Sequence, residues 1–185
     1  MLVGLVWLLV AIVAGAIGAT QRLQPPGPQI LVLALTGALV LGGWAVASFR
    51  RWLMDLDWRV IVGLHLSRFV GVDFLWQYRR GELPYAFAVP GGIGDVVIAL
   101  LACGVLASGR TVARRPHLLL AWNALGCADI LYVVLTAARL ALAEPRSMAA
   151  LQRLPLSVLP TFLVPLIIAS HILLFARLRR WRRAP

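Results

Sequence analysis

Six long apolar blocks, separated by short polar stretches, run along this chain of 185 residues. They cover residues 2–19, 29–48, 58–78, 92–108, 117–141 and 155–178. A bilayer core about 30 Å thick takes roughly 20 helical residues to cross, and each block approaches that length. The pattern predicts an all-α polytopic transmembrane bundle of about six spans, in a single membrane domain over residues 1–185. The connections are short, and QRLQPPGPQ is a turn broken by Pro25, Pro26 and Gly27. No internal repeat stands out, so the inverted-repeat signature of many transporters is missing. The first block has small residues near Ala16 to Ala19, as a signal peptide would, but it lacks a basic n-region. It reads as an uncleaved span.

Composition agrees. The chain is 61% hydrophobic and 14% charged, too few charges to cover a water-facing surface of this size. The net charge of +11 raises nucleic-acid binding. The basic residues, however, sit between apolar blocks and at the C-terminus and form no stripe, so no nucleic acid is expected. All 18 are arginine, which fits a GC-rich bacterial genome. One side gathers Arg50, Arg51, Arg59, Arg110, Arg114, Arg115 and the tail from Arg177 to Arg183. The other holds Arg22, Arg79, Arg80, Arg146 and Arg153. By the positive-inside rule both termini face the cytoplasm of the bacterial inner membrane. The tail RLRRWRRAP suits anionic lipids, with Trp181 at the interface. Cys103 and Cys127 lie inside apolar blocks without a CxxC partner and read as buried, unpaired thiols.

Ionisable residues within hydrocarbon are costly unless paired or wet, and so mark candidate sites. The third block carries His65, Arg68 and Asp73, all within one half of an α-helix. Counting from the flanking arginines puts His65, Asn123 and His171 at one depth. Two histidines on different helices at one depth suit a haem b or another metal site, or a proton relay. The plainer reading is hydrogen-bonding glue between helices. His117, at a helix start, reads as interfacial. Arg68 and Asp129 both fall near mid-membrane and are expected to pair, with Tyr132 and Thr136 completing the shell.

The stretch GELPYAFAVPGGIGDVVIAL combines Pro84, Pro90 and three glycines, and predicts a re-entrant or interfacial loop over 81–94. A helix would restart at Asp95, with that carboxylate as its N-cap. Alternatively, Asp73 and Asp95 form an acidic pair that binds a cation or proton. Without GK[ST] the glycines are no phosphate loop.

This stretch resembles one found in small, uncharacterised bacterial polytopic membrane proteins, a GxLPxxFAxPxGxGD run leading into a helix. The resemblance continues through WNALGCADI at 122–130 and PTFLVPLIIASHILL at 160–174. It nominates Pro84, Phe87, Pro90, Gly94, Asp95, Asn123, Gly126, Asp129, Pro160, Pro165 and His171, and implies no particular reaction.

The function this supports is non-enzymatic binding or transport of a small ligand or proton, through Arg68, Asp73, Asp95, Asn123, Asp129 and Tyr132. The alternatives are a haem b or metal protein using His65 and His171, and an accessory subunit acting through a membrane-protein partner or a homo-oligomer. An enzyme is disfavoured. No GxSxG or HExxH motif is present, and Ser170 beside His171 points about 100° away from it on a helix. Absorption spectroscopy of the purified protein separates the haem reading from the others. That reading requires a Soret band which His171→Ala abolishes.

Overall fold

A computed structural model describes residues 2–181, with all side chains except those of Arg110, Ala113, Arg114, Arg180 and Trp181. The expectation that the basic tail and Trp181 meet anionic lipid therefore falls largely outside the described residues. The helices are α1 (Leu2–Ala16), α2 (Gly27–Ala45), α3 (Ala47–Asp55), α4 (Trp58–Leu64), α5 (Gly71–Arg79) and α6 (Tyr85–Ala107), followed by α7 (Gly109–Arg114), α8 (Pro116–Ala143) and α9 (Val164–Trp181). Among the described residues there are no strands. Four stretches, Gly27–Ala45, Tyr85–Ala107, Pro116–Ala143 and Leu159–Arg179, are long and apolar enough to cross a membrane. α1 is apolar but shorter.

The third apolar block is not one regular helix. α4, capped by the Asp57 carboxylate accepting from the Arg59 amide at 2.9 Å, passes into a 3₁₀ stretch, His65–Val70, and then into α5. In a 3₁₀ helix three residues make one turn, so side chains at i and i+3 eclipse. Val62, His65, Arg68, Gly71 and Phe74 are all buried, a period of three that puts the histidine and the arginine on one line. Asp73 falls off this line and is only half-buried.

The expected loop over 81–94 is a turn followed by regular helix, because α6 runs from Tyr85 straight through Pro90. Pro90 lies in the second turn and removes one amide donor, the one that would reach Ala86. Gly81 has positive φ and makes the turn, whereas Gly91, Gly92 and Gly94 have ordinary helical angles. Those three serve close packing instead. A Cβ on Gly71 would collide with the Gly92 carbonyl and lie 2.9 Å from Asp95 Cβ, so α5 and α6 meet backbone to backbone. Asp95 sits eleven residues into α6 and is not an N-cap, since the cap position is Pro84.

α6 packs on α5, on the 3₁₀ stretch and on α8, and α9 packs on α8 and α2. Pro165 cannot donate to the Thr161 carbonyl four residues back. The Trp7 indole N–H takes that acceptor at 2.9 Å, tying α1 to the start of the last helical stretch. Contacts group the connections into two ends. At one end Arg177 donates to the Leu56 carbonyl at 2.5 Å, and Arg59 lies beside Gly109. At the other, Thr20 donates to the Gln152 carbonyl at 2.6 Å and Gln152 to the Leu23 carbonyl at 2.8 Å. Glu82 is 3.4 Å from Arg80 and 4.0 Å from Arg153 there. The cysteines are free, as expected, but Cys103 is exposed and Cys127 half-buried. Both fall off the buried stripes of their helices.

The backbone contact between α5 and α6 sets a mutational contrast. Gly71→Ala should destabilise the protein by about 1–3 kcal/mol, as overpacking does. Gly63→Ala, where a Cβ meets nothing within 4 Å, should be near neutral. Thermal melts in mild detergent measure both, and equal shifts would contradict the close approach.

Candidate functional site

Arg68 is fully buried, and its guanidinium is held by three acceptors on two helices. Nε donates to Asp95 Oδ1 of α6 at 2.6 Å. Nη1 donates to the Gly126 carbonyl of α8 at 3.0 Å. Nη2 donates to Asp129 Oδ2, also of α8. Arg68 and Asp129 thus form the expected pair, and Asp95 joins them as a second carboxylate. A carboxylate can approach this closely because its neighbour is Gly94, where any Cβ would overlap Asp129 Oδ1. The expected acidic pair of Asp73 and Asp95 is replaced by Asp95 and Asp129 sharing one arginine. The 3₁₀ stretch explains the exchange, since it turns Arg68 toward α6 and α8 and leaves Asp73 aside. The Asp73 carboxylate makes no hydrogen bond among the described residues, and its Oδ2 is buried without a partner.

His65, Asn123 and His171 do come together. Asn123 Nδ2 donates to the His171 carbonyl at 3.2 Å, so its Oδ1 is the atom 2.9 Å from His171 Nδ1. That ring nitrogen must carry the proton, because an amide oxygen only accepts. His171 Nε2 is then a bare lone pair, buried without a partner. Ser170 Oγ donates to the Ile167 carbonyl at 2.7 Å and lies 3.0 Å from His65 Nε2. With the hydroxyl proton used, His65 Nε2–H is the donor and His65 Nδ1 is a second bare, buried nitrogen. The two rings are 4.5 Å apart, centre to centre, with Trp122 edge-on to His65 at 4.9 Å. Gly126 connects this cluster to the arginine. A Cβ there would lie 2.9 Å from His171 Cε1, and its carbonyl is the one Arg68 binds.

Other expected members stand apart. Tyr132 is largely exposed, about 120° around α8 from Gly126, and does not complete the arginine's shell. Thr136 is buried but makes no hydrogen bond to Arg68. Ser170 is a member the sequence argument missed. Judged only against its neighbour His171, it has no base, and its partner proves to be on a different helix.

The imidazole pair does not fit a haem. A macrocycle between two axial imidazoles puts ring centres about 6 Å apart at metal–nitrogen distances near 2 Å. These rings are nearly in contact and closed in by Trp122. Among the described residues no three His, Cys, Asp or Glu side chains group as metal ligands.

A buried charge left without its partner is expensive, about 3–5 kcal/mol, whereas a wholly neutral replacement can be tolerated. Arg68→Met should therefore lower the melting temperature more than the triple variant Arg68→Met, Asp95→Asn, Asp129→Asn. Melts of purified single and triple variants check the order, and a triple variant at least as unstable as the single would count against the charge argument.

No curated protein and no solved structure matches this chain. A family model described as Domain of unknown function (DUF8737) matches residues 25–179. That match takes in every residue of the polar layer, and the chain belongs to this family.

Proposed function

We propose that this is a multi-pass membrane protein, not an enzyme, that binds and passes protons through the buried layer between Arg68 and His65. The observation that carries the reading is the charge count around Arg68. One guanidinium faces two carboxylates, Asp95 and Asp129, so the group is one negative charge in excess when both are ionised. Excess charge at this depth is costly, and one added proton balances it. Asp129 keeps 16% of its side chain exposed, so the group reaches the surface of the bundle there. Two imidazole nitrogens without hydrogen-bond partners, on adjoining rings, extend the path past Gly126.

The same reading includes six passes with both termini cytoplasmic in a bacterial inner membrane. The contacts at the two ends support it. Leu56, Arg59, Gly109 and Arg177 gather at one end, while Leu23, Glu82, Gln152 and Arg153 gather at the other. These contacts are what a chain that alternates ends between successive apolar blocks would give, with α1 and the segmented α4–α5 rod counted as passes. The end richer in arginine is the cytoplasmic one.

Proteoliposomes loaded with a pH-sensitive dye and given a potassium diffusion potential test this. The wild-type chain should acidify or alkalinise the lumen with the sign of the potential. Asp95→Asn and Asp129→Asn should each slow the change about tenfold or more, the loss of roughly 1.4 kcal/mol or more. If both variants fold and keep the wild-type rate, the proposal fails.

A further inference from the structure

A second feature lies on the other side of α9 from the arginine. A cavity of about 410 Å³ opens between α2, α3, α4 and α9, within the range of roughly 300–1,000 Å³ seen for small-molecule sites. Its wall is apolar, with Leu39, Phe49, Leu53, Leu64 and Leu173 contributed by all four helices. Arg50 is the one charged lining residue and Ser170 the one hydroxyl among those described. A water-soluble ligand would find almost nothing to hydrogen-bond, whereas a hydrocarbon chain would be fully matched.

The mouth of the cavity has the chemistry of a headgroup layer. α3 is a short helix between two membrane-embedded stretches, with Phe49 and Trp52 stacked at 5.8 Å toward the cavity and Arg50 and Arg51 exposed. Trp44 and Trp52 are 76% and 52% exposed, in the manner of aromatic residues at a membrane interface. Arg50 donates to the Trp44 carbonyl at 3.2 Å and makes no ion pair among the described residues, so most of its donors remain available. Ser170 closes part of the inner wall, and through His65 the cavity borders the polar layer.

We infer that this cavity holds one acyl chain of an anionic phospholipid from the surrounding leaflet, with the lipid phosphate on Arg50. Charge selects the occupant. An apolar cavity with a free guanidinium at a tryptophan-marked rim matches a chain joined to an anion. A cation or an uncharged apolar molecule leaves Arg50 unused. The inference is independent of the proton reading and involves none of Arg68, Asp95 or Asp129.

The test uses the full chain in non-ionic detergent, titrated with phosphatidylglycerol or phosphatidylcholine of identical chains and read by native mass spectrometry. One phosphatidylglycerol per chain should be retained, about fivefold over phosphatidylcholine, as expected for one basic residue at an anionic headgroup. Arg50→Gln should erase the preference while leaving a lipid bound. Ala169→Phe, which fills the cavity, should remove the bound lipid from a chain that still elutes as folded. As a second measurement that does not depend on that variant folding, phosphatidylglycerol brominated along its chains should quench tryptophan fluorescence. The quenching should be largely lost when Trp44 and Trp52 are both replaced by Phe. Equal retention of the two lipids by wild type, lipid retained by folded Ala169→Phe, undiminished quenching without Trp44 and Trp52, or a lipid-free dimer occluding the cavity would each overturn the inference.

Discussion

A guanidinium with no exposure to solvent has to find its counter-charges and acceptors inside the protein, and this requirement shapes the centre of the molecule. Arg68 can make five N–H donations, and the structure supplies two carboxylates and a backbone carbonyl from α6 and α8. Those acceptors stand close enough only because the helices that carry them approach closely. Gly94 leaves room for Asp129, and Gly71 and Gly92 bring the rod of α4 and α5 against α6. The glycines act through what they lack, a Cβ, and not through unusual backbone angles.

The local switch from α to 3₁₀ geometry over His65–Val70 is the companion of that pairing. It aligns His65 with Arg68, so one helical edge serves both the imidazole cluster and the charged group. Asn123 holds His171 by ring and backbone together, which fixes the tautomer and leaves a lone pair without a donor. Unsatisfied buried nitrogens are uncommon and are worth explaining where they occur. Two of them lie on adjoining rings, beside the arginine and its two carboxylates.

The rest of the molecule is divided unevenly. α1 and α2 contribute few buried residues and present apolar surface outward. α1 is tied in by Trp7 at the carbonyl that Pro165 leaves free. α2 packs on α9, the cavity opens between these two and α3 and α4, and α3 lines it with aromatic and basic residues. Polar chemistry is thus concentrated on one side of α9 and apolar volume on the other, with Ser170 and His65 between them.

The apolar blocks and their helical character were legible in the sequence, because block length and hydropathy depend on composition alone. The pairing of Arg68 with Asp129 and the meeting of His65, Asn123 and His171 followed from depth counting, since an uncompensated charge in hydrocarbon leaves few alternatives. The continuous helix through Pro90 was not legible. A proline and three glycines read as a break, and only the packing of α5 and α8 against those glycines shows what they accommodate. Asp95 replacing Asp73 and Ser170 bonding to His65 were hidden for a similar reason. Both depend on the rotation of one helix against another, which the 3₁₀ stretch alters by changing the residues per turn. Sequence periodicity assigns a residue to a face only for a helix of known pitch. The chain alone therefore determined which blocks are helical and apolar and which polar side chains they carry, and the tertiary structure decided which of those side chains touch.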